Sequence, residues 1–116
     1  MSTEDGQQLH LEIDVSEAAR LIRDQPDKDV LVLDVREDDE RAFCRLPDQL
    51  HIPIGQIQAR WQELPRDRHL LVYCHHGMRS LRVAHFLRMM GIPDAQSIRG
   101  GIEAWSLEVD PRVPRY

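Results

Sequence analysis

A chain of 116 residues with a formal net charge of −5, 41% hydrophobic and 30% charged residues, fits one globular domain with one buried core. The acidic balance gives no footing for general nucleic-acid binding, and no apolar run is long enough to span a membrane. The polar, acidic start Met1-Ser2-Thr3-Glu4-Asp5-Gly6 lacks a secretion pattern, so a cytoplasmic protein is expected, with Cys44 and Cys74 as thiols.

Residues 1–9 read as a flexible lead-in and residues 10–13 as a short edge strand. Asp14 and Glu17 have the spacing of an N-cap and its returning carboxylate, opening a helix that buries Ala18, Leu21 and Ile22. Gln25-Pro26-Asp27-Lys28-Asp29 ends that helix as a turn. Val30-Leu31-Val32-Leu33-Asp34-Val35 is apolar almost throughout, the pattern of a central strand covered on both faces. Asp34 and Arg36 then fall near its C-terminal edge, where sites form in open α/β sheets. The polar run 37–41 opens a short helix, and Phe43 with Leu46 pins the irregular segment that follows. Leu50-His51-Ile52 forms a short strand stopped by Pro53, and Ile57, Trp61 and Leu64 put a helix over residues 55–64.

Leu70-Leu71-Val72-Tyr73 is a buried strand, and residues 80–90 read as a helix burying Val83, Ala84, Leu87 and Met90, with Gly91 ending it. Residues 95–98 are a further strand, Gly100-Gly101 a flexible turn, and residues 102–107 a short helix anchored by Trp105. Residues 108–116 are too rich in proline for regular structure. The alternation predicts one α/β domain over residues 10–107, a mostly parallel sheet with helices on both faces.

The turn Cys74-His75-His76-Gly77-Met78-Arg79 carries the chemistry. Amides converging in a strand-to-helix turn, together with the positive end of a helix, favour thiolate at Cys74 and make a nucleophile inside an anion cradle. Arg79, five residues beyond Cys74 in the pattern Cys-x-x-x-x-Arg, is either an ordinary first-turn charge or a cation that closes the loop, and it needs a carboxylate or anion as partner. His75 and His76 shape the loop and add local positive character; with Cys74 they do not match a closed zinc pattern, and no metal is assigned. Gly77 permits a close backbone approach, and Ser80 satisfies the helix start or bonds Cys74. Met78 is a rim thioether or a packing residue. Asp34 has a structural role, pairing with Arg36 or Arg79 or accepting loop amides, while Arg36 attracts an anionic donor or pairs with Glu37 or Glu40. Cys44 reads as packing, with a resolving thiol as the alternative, and Trp61 and Trp105 read as helix-to-sheet core residues.

In order and spacing, Asp34-Val35-Arg36-Glu37, Cys74-His75-His76-Gly77-Met78-Arg79-Ser80 and Gly100-Gly101-Ile102-Glu103-Ala104-Trp105 resemble a single-domain rhodanese-like sulfurtransferase. The resemblance implies a five-stranded, mostly parallel sheet and a Cys74 persulfide. The sulfane sulfur would come from thiosulfate or a persulfide and pass to cyanide, a thiol or a protein acceptor, with no cofactor. It implies that Arg79 closes the loop, that Asp34 and Arg36 support it, and that Gly101 and Trp105 position the last helix. Where many relatives have Gly-His-Ile-x-Gly-Ala, this chain has Gln49-Leu50-His51-Ile52-Pro53-Ile54-Gly55, which predicts a differently shaped wall beside the site. The alternatives are a non-turnover sulfur carrier or protein-binding regulatory domain and, more weakly, a cysteine phosphatase or arsenate reductase. Against the last, such phosphatases carry one more residue between cysteine and arginine, as the family comparison implies.

Overall fold

The computed structural model describes residues 9–24, 29–47 and 49–116; residues 1–8 of the expected lead-in over 1–9 and most of the turn at 25–29 lie outside them. In chain order the elements are β1 (Glu12–Ile13), α1 (Val15–Asp24), β2 (Val30–Asp34), α2 (Asp38–Phe43), β3 (Gln49–His51) and α3 (Ile54–Arg60). A 3-10 turn (Trp61–Glu63) leads to β4 (His69–Tyr73), α4 (Met78–Met89), β5 (Ala95–Ile98) and α5 (Gly101–Glu108).

The five strands form one sheet in the order β1-β5-β4-β2-β3, with every pair parallel. Both faces are covered, so β2 and β4 are apolar over residues 30–33 and 70–73, and alternate residues serve different cores. Leu70, Val72 and Cys74 face one core with Val83, Ala84 and Leu87 of α4 and Ile57 of α3. Leu71 and Tyr73 face the other with Val15 and Ala18 of α1 and Ile102 and Trp105 of α5. Consecutive residues at the end of β4 thus deliver Tyr73 and Cys74 to opposite sides of the sheet.

Several sequence expectations shift. The helix after the Cys74 turn starts at Met78, not Ser80, because Gly77 takes a left-handed φ of +103° and caps it; the turn shortens to residues 74–77 and Arg79 enters the first helical turn. Phe43 does not pin the segment after α2: it is 57% exposed, while Leu46 alone is buried. Met90 lies past the last helical residue at the surface, and Ile92 fills the core in its place. The edge strand contracts to Glu12–Ile13, and the third strand moves one residue back, pairing Leu50 with Leu33 and His51 with Asp34. The helix expected over 55–64 divides at Trp61 into an α-helix and a 3-10 turn, leaving Trp61 half-buried against the core. Gly100-Gly101 is not a flexible turn: Gly100 caps α5, and Gly101 is its first residue, fully packed. No helix among the described residues is long and apolar enough to cross a membrane.

Candidate active site

Cys74 sits one residue beyond β4, at the C-terminal edge of the sheet, and only 1% of it is exposed. Its sulfur accepts the backbone N–H of Gly77 at 3.1 Å and of Ser80 at 3.3 Å, and donates to Ser80 Oγ at 3.4 Å. Ser80 Oγ donates to Gly77 O at 3.3 Å and is hydrogen-bonded to Ser97 Oγ at 2.7 Å, so the hydroxyl beside the sulfur is fixed from β5. The sulfur therefore lies at the N-terminus of the twelve-residue helix α4, where exposed amides and the helix dipole stabilise negative charge.

The turn is clamped by α5. The N–H groups of Ile102 and Glu103, which lack intrahelical partners, donate to Cys74 O at 2.9 Å and His75 O at 3.0 Å. In planar trans peptides the N–H groups of His75 and His76 must then face away from α5. Gly101 makes this approach possible: its φ is +62°, and a Cβ there would meet Cys74 O and would lie 2.5 Å from His75 O. Trp105 packs in the core beneath α5, so its contribution is to seat that helix.

Arg79 finds its carboxylate in Glu40. Nη1 and Nη2 donate to Oε1 and Oε2 at 2.7 and 2.9 Å, joining α4 to α2. This two-pronged bond holds the Glu40 carboxyl down to about 2, while burial alone would raise it. Glu40 Oε1 also accepts the Glu37 N–H at the start of α2, at 3.0 Å.

Of the roles open to Arg36, the structure shows the pair with Asp34, and neither an anion attractor nor a partner of the Glu37 or Glu40 carboxylate. Arg36 is fully buried: Nε and Nη2 bind the two oxygens of Asp34 at 3.0 and 2.9 Å, and Nη2 also donates to Cys44 O at 2.6 Å. Tyr73 Oη donates to Asp34 Oδ2 at 2.9 Å and accepts the Leu46 N–H at 3.2 Å. His51 Nε2 bonds Arg36 O at 2.8 Å. The network ties the ends of β2 and β4 to the segment after α2, and it lies on the sheet face opposite the Cys74 sulfur. Cys44 belongs to that face too, with its sulfur 3.9 Å from Arg36 Nη1.

His75 lies between two rings, stacked on His76 at 3.8 Å and on Tyr116 at 3.7 Å. Burial, then the neighbouring His76, lowers its pKa, so it is neutral at pH 7. Its buried Nε2 has no hydrogen-bond partner among the described residues and lies 3.9 Å from Glu103 Oε1. His75, His76 and Glu103 bring three donor atoms within 4.8 Å of one another. With 21° between the stacked imidazoles, however, their in-plane lone pairs run side by side and do not converge on an ion. Met78 stands at the rim, 66% exposed, and His76 is exposed beside it.

The fold thus gathers Cys74, Gly77, Ser80, Gly101, Arg79 and His75 around one turn, and sets Asp34 and Arg36 behind it. Two participants escaped the sequence reading: Ser97, hidden as one small residue in a buried strand, and Tyr116, in a segment without periodicity. Glu40, one of four consecutive acidic residues, was named as a partner for Arg36 and binds Arg79 instead.

The pattern of the Rhodanese-like domain matches residues 14–108. A protein named "Sulfurtransferase" from Allochromatium vinosum is 36% identical over 95 residues, covering 82% of this chain and 87% of that protein. The thiosulfate sulfurtransferase GlpE of Coxiella burnetii is 31% identical over 78 residues, covering 67% of this chain and 73% of that protein. Among solved structures, a rhodanese-related protein from Thermoplasma volcanium superposes with a TM-score of 0.79 at 31% identity, covering 92% of this chain and 100% of that one. On fold and sequence, the chain belongs to the rhodanese-like family, and two of these relatives carry the name sulfurtransferase.

Proposed function

We propose that the chain moves sulfane sulfur through a persulfide on Cys74, taking it from thiosulfate or a persulfide donor and giving it to a thiol, cyanide or protein acceptor in the cytoplasm. The observation that carries this reading is the Cys74 sulfur, buried at the N-terminus of α4 and bonded by the Gly77 and Ser80 amides. In the first half-reaction the Cys74 thiolate attacks the outer sulfur of thiosulfate. The bond between the two thiosulfate sulfurs breaks, and sulfite leaves with the electron pair. In the second, an acceptor thiolate attacks the outer sulfur of the Cys74 persulfide and departs as its own persulfide, returning the electron pair to Cys74. No general base is required once Cys74 is thiolate, and neutral His75 is not assigned one.

Neither arginine offers a free guanidinium to a donor, since Arg36 is buried on Asp34 and Arg79 is engaged by Glu40. The donor's charge is met instead by the loop amides and the end of α4. The engaged Arg79 also counts against a phosphatase or arsenate reductase, which needs a guanidinium on the oxyanion. A dedicated carrier uses the same first half-reaction and differs only in discharging to one partner.

Intact mass before and after thiosulfate or persulfide treatment tests the reading. A gain of one sulfur atom, reversed by reductant and missing from Cys74→Ser, supports it. No adduct with any donor, or an adduct retained in Cys74→Ser, overturns it.

A further inference from the structure

Residues 109–116 form no helix or strand, yet they are bound to the domain along their length. Asp110 N–H donates to Trp105 O at 2.9 Å, Val113 packs against the α1/α5 core, and Ser106 Oγ donates to Val113 O at 2.7 Å. The segment therefore runs back along α5 towards the helix's own N-terminus, where that helix holds the Cys74 turn. There Arg115 Nη2 pairs with Glu103 Oε2 at 2.6 Å, on the α5 side of His75. Tyr116 reaches the other side: its ring lies on His75 with 14° between the planes, its Oη donates to Glu40 Oε2 at 2.7 Å, and it accepts Arg36 Nη1 at 2.9 Å. Burial raises the phenol's pKa, which keeps the proton that Glu40 receives.

Glu40 is the residue that grips Arg79, and His75 adjoins the nucleophile. One side chain thus touches the turn through His75, the α2–α4 ion pair through Glu40, and the network behind the sheet through Arg36. We propose that Tyr116 is a positioning residue of the sulfur-transfer site, holding the Cys74 turn against α2 so that the Gly77 and Ser80 amides stay aimed at the sulfur. The proposal rests on the sulfurtransferase reading above. Tyr116 touches neither Cys74 nor, on this account, the donor, so its loss slows loading without weakening donor saturation.

The test is single-turnover persulfide loading of Cys74, followed by intact mass across a range of thiosulfate or glutathione persulfide concentrations, in wild type, Tyr116→Ala and Tyr116→Phe. The maximal loading rate of Tyr116→Ala is expected to fall about tenfold, as for a misaimed reacting group, with the half-saturating donor concentration within about twofold of wild type. Tyr116→Phe keeps the ring on His75 and loses the hydroxyl bonds, so its rate falls between the two. A maximal rate in Tyr116→Ala within about twofold of wild type overturns the proposal, as does a change confined to the half-saturating concentration. Should Tyr116→Ala melt below the assay temperature, Tyr116→Phe decides: a slower maximal rate supports the tether, and a wild-type rate overturns it. Wild-type protein that takes no sulfur at all overturns the function itself, an outcome distinct from equal loading in wild type and variants.

Discussion

Arg79 and Glu40, thirty-nine residues apart, form the one ion pair among the described residues that joins α4 to α2, with both guanidinium Nη atoms on both carboxylate oxygens. It supplies the partner that a cation at a helix N-terminus requires.

Its pH dependence has a definite sign. The Glu40 carboxyl is held down to about 2 in the folded chain, against about 4.3 in an unfolded one, so the pair's contribution is full above about 4.3 and is lost as pH falls towards 2. Glu40→Gln should lower stability at pH 7 by about 1 kcal/mol, a modest value because the pair is partly solvated. Urea unfolding of both proteins checks this: the gap should narrow by more than half between pH 7 and pH 3, and an undiminished gap contradicts it.

Removal of the Asp34 carboxylate is a harsher change. Asp34→Ala leaves the fully buried Arg36 guanidinium without its counter-charge and Tyr73 Oη without its acceptor, which should cost about 3–5 kcal/mol. Tyr73→Phe removes two hydrogen bonds, to Asp34 Oδ2 and from the Leu46 N–H, and should cost about 1–2 kcal/mol. Urea midpoints in that order are expected; equal midpoints exclude the buried pair as the principal tie.

Two glycines make a matched test. Gly101→Ala drives a Cβ into the carbonyls of Cys74 and His75 at a left-handed φ, and should destabilise by about 3 kcal/mol or more. Gly55→Ala meets nothing within 4 Å on the exposed side of α3, and should stabilise by about 0.5 kcal/mol through helix propensity. Thermal melts of the two variants should move in opposite directions.

Cys44 lies with the supporting network and not with Cys74. Cys44→Ala should therefore take up one sulfur atom like wild type, with a stability loss of about 1 kcal/mol from the vacated volume. Normal loading with failure to discharge the sulfur in this variant would restore Cys44 as a resolving thiol.

The alternation of elements was legible because covered parallel strands leave near-continuous apolar runs, as in residues 30–33 and 70–73, and turns leave glycine and proline. The Cys74 turn was legible for the same reason: polar residues and glycine follow an apolar strand directly. Side-chain destinations at the site were less so. Arg36 carries the same local signal whether it meets solvent or a buried carboxylate, and only the register of β2 with β4 seats it beneath Tyr73. Phe43 has the hydropathy of a core residue but sits edge-on to the Tyr116 ring at 5.8 Å, a contact across more than seventy residues that no periodicity announces.

The alternation of Tyr73 and Cys74 across the sheet has a consequence for how this chain can vary. An insertion or deletion of one residue in β4 would exchange the phenol that serves Asp34 for the thiol that serves α4, disabling both sides while leaving composition and local propensity almost unchanged. Length variation can be absorbed in the connections at the opposite edge of the sheet, but the short run from His69 to Cys74 must keep its count.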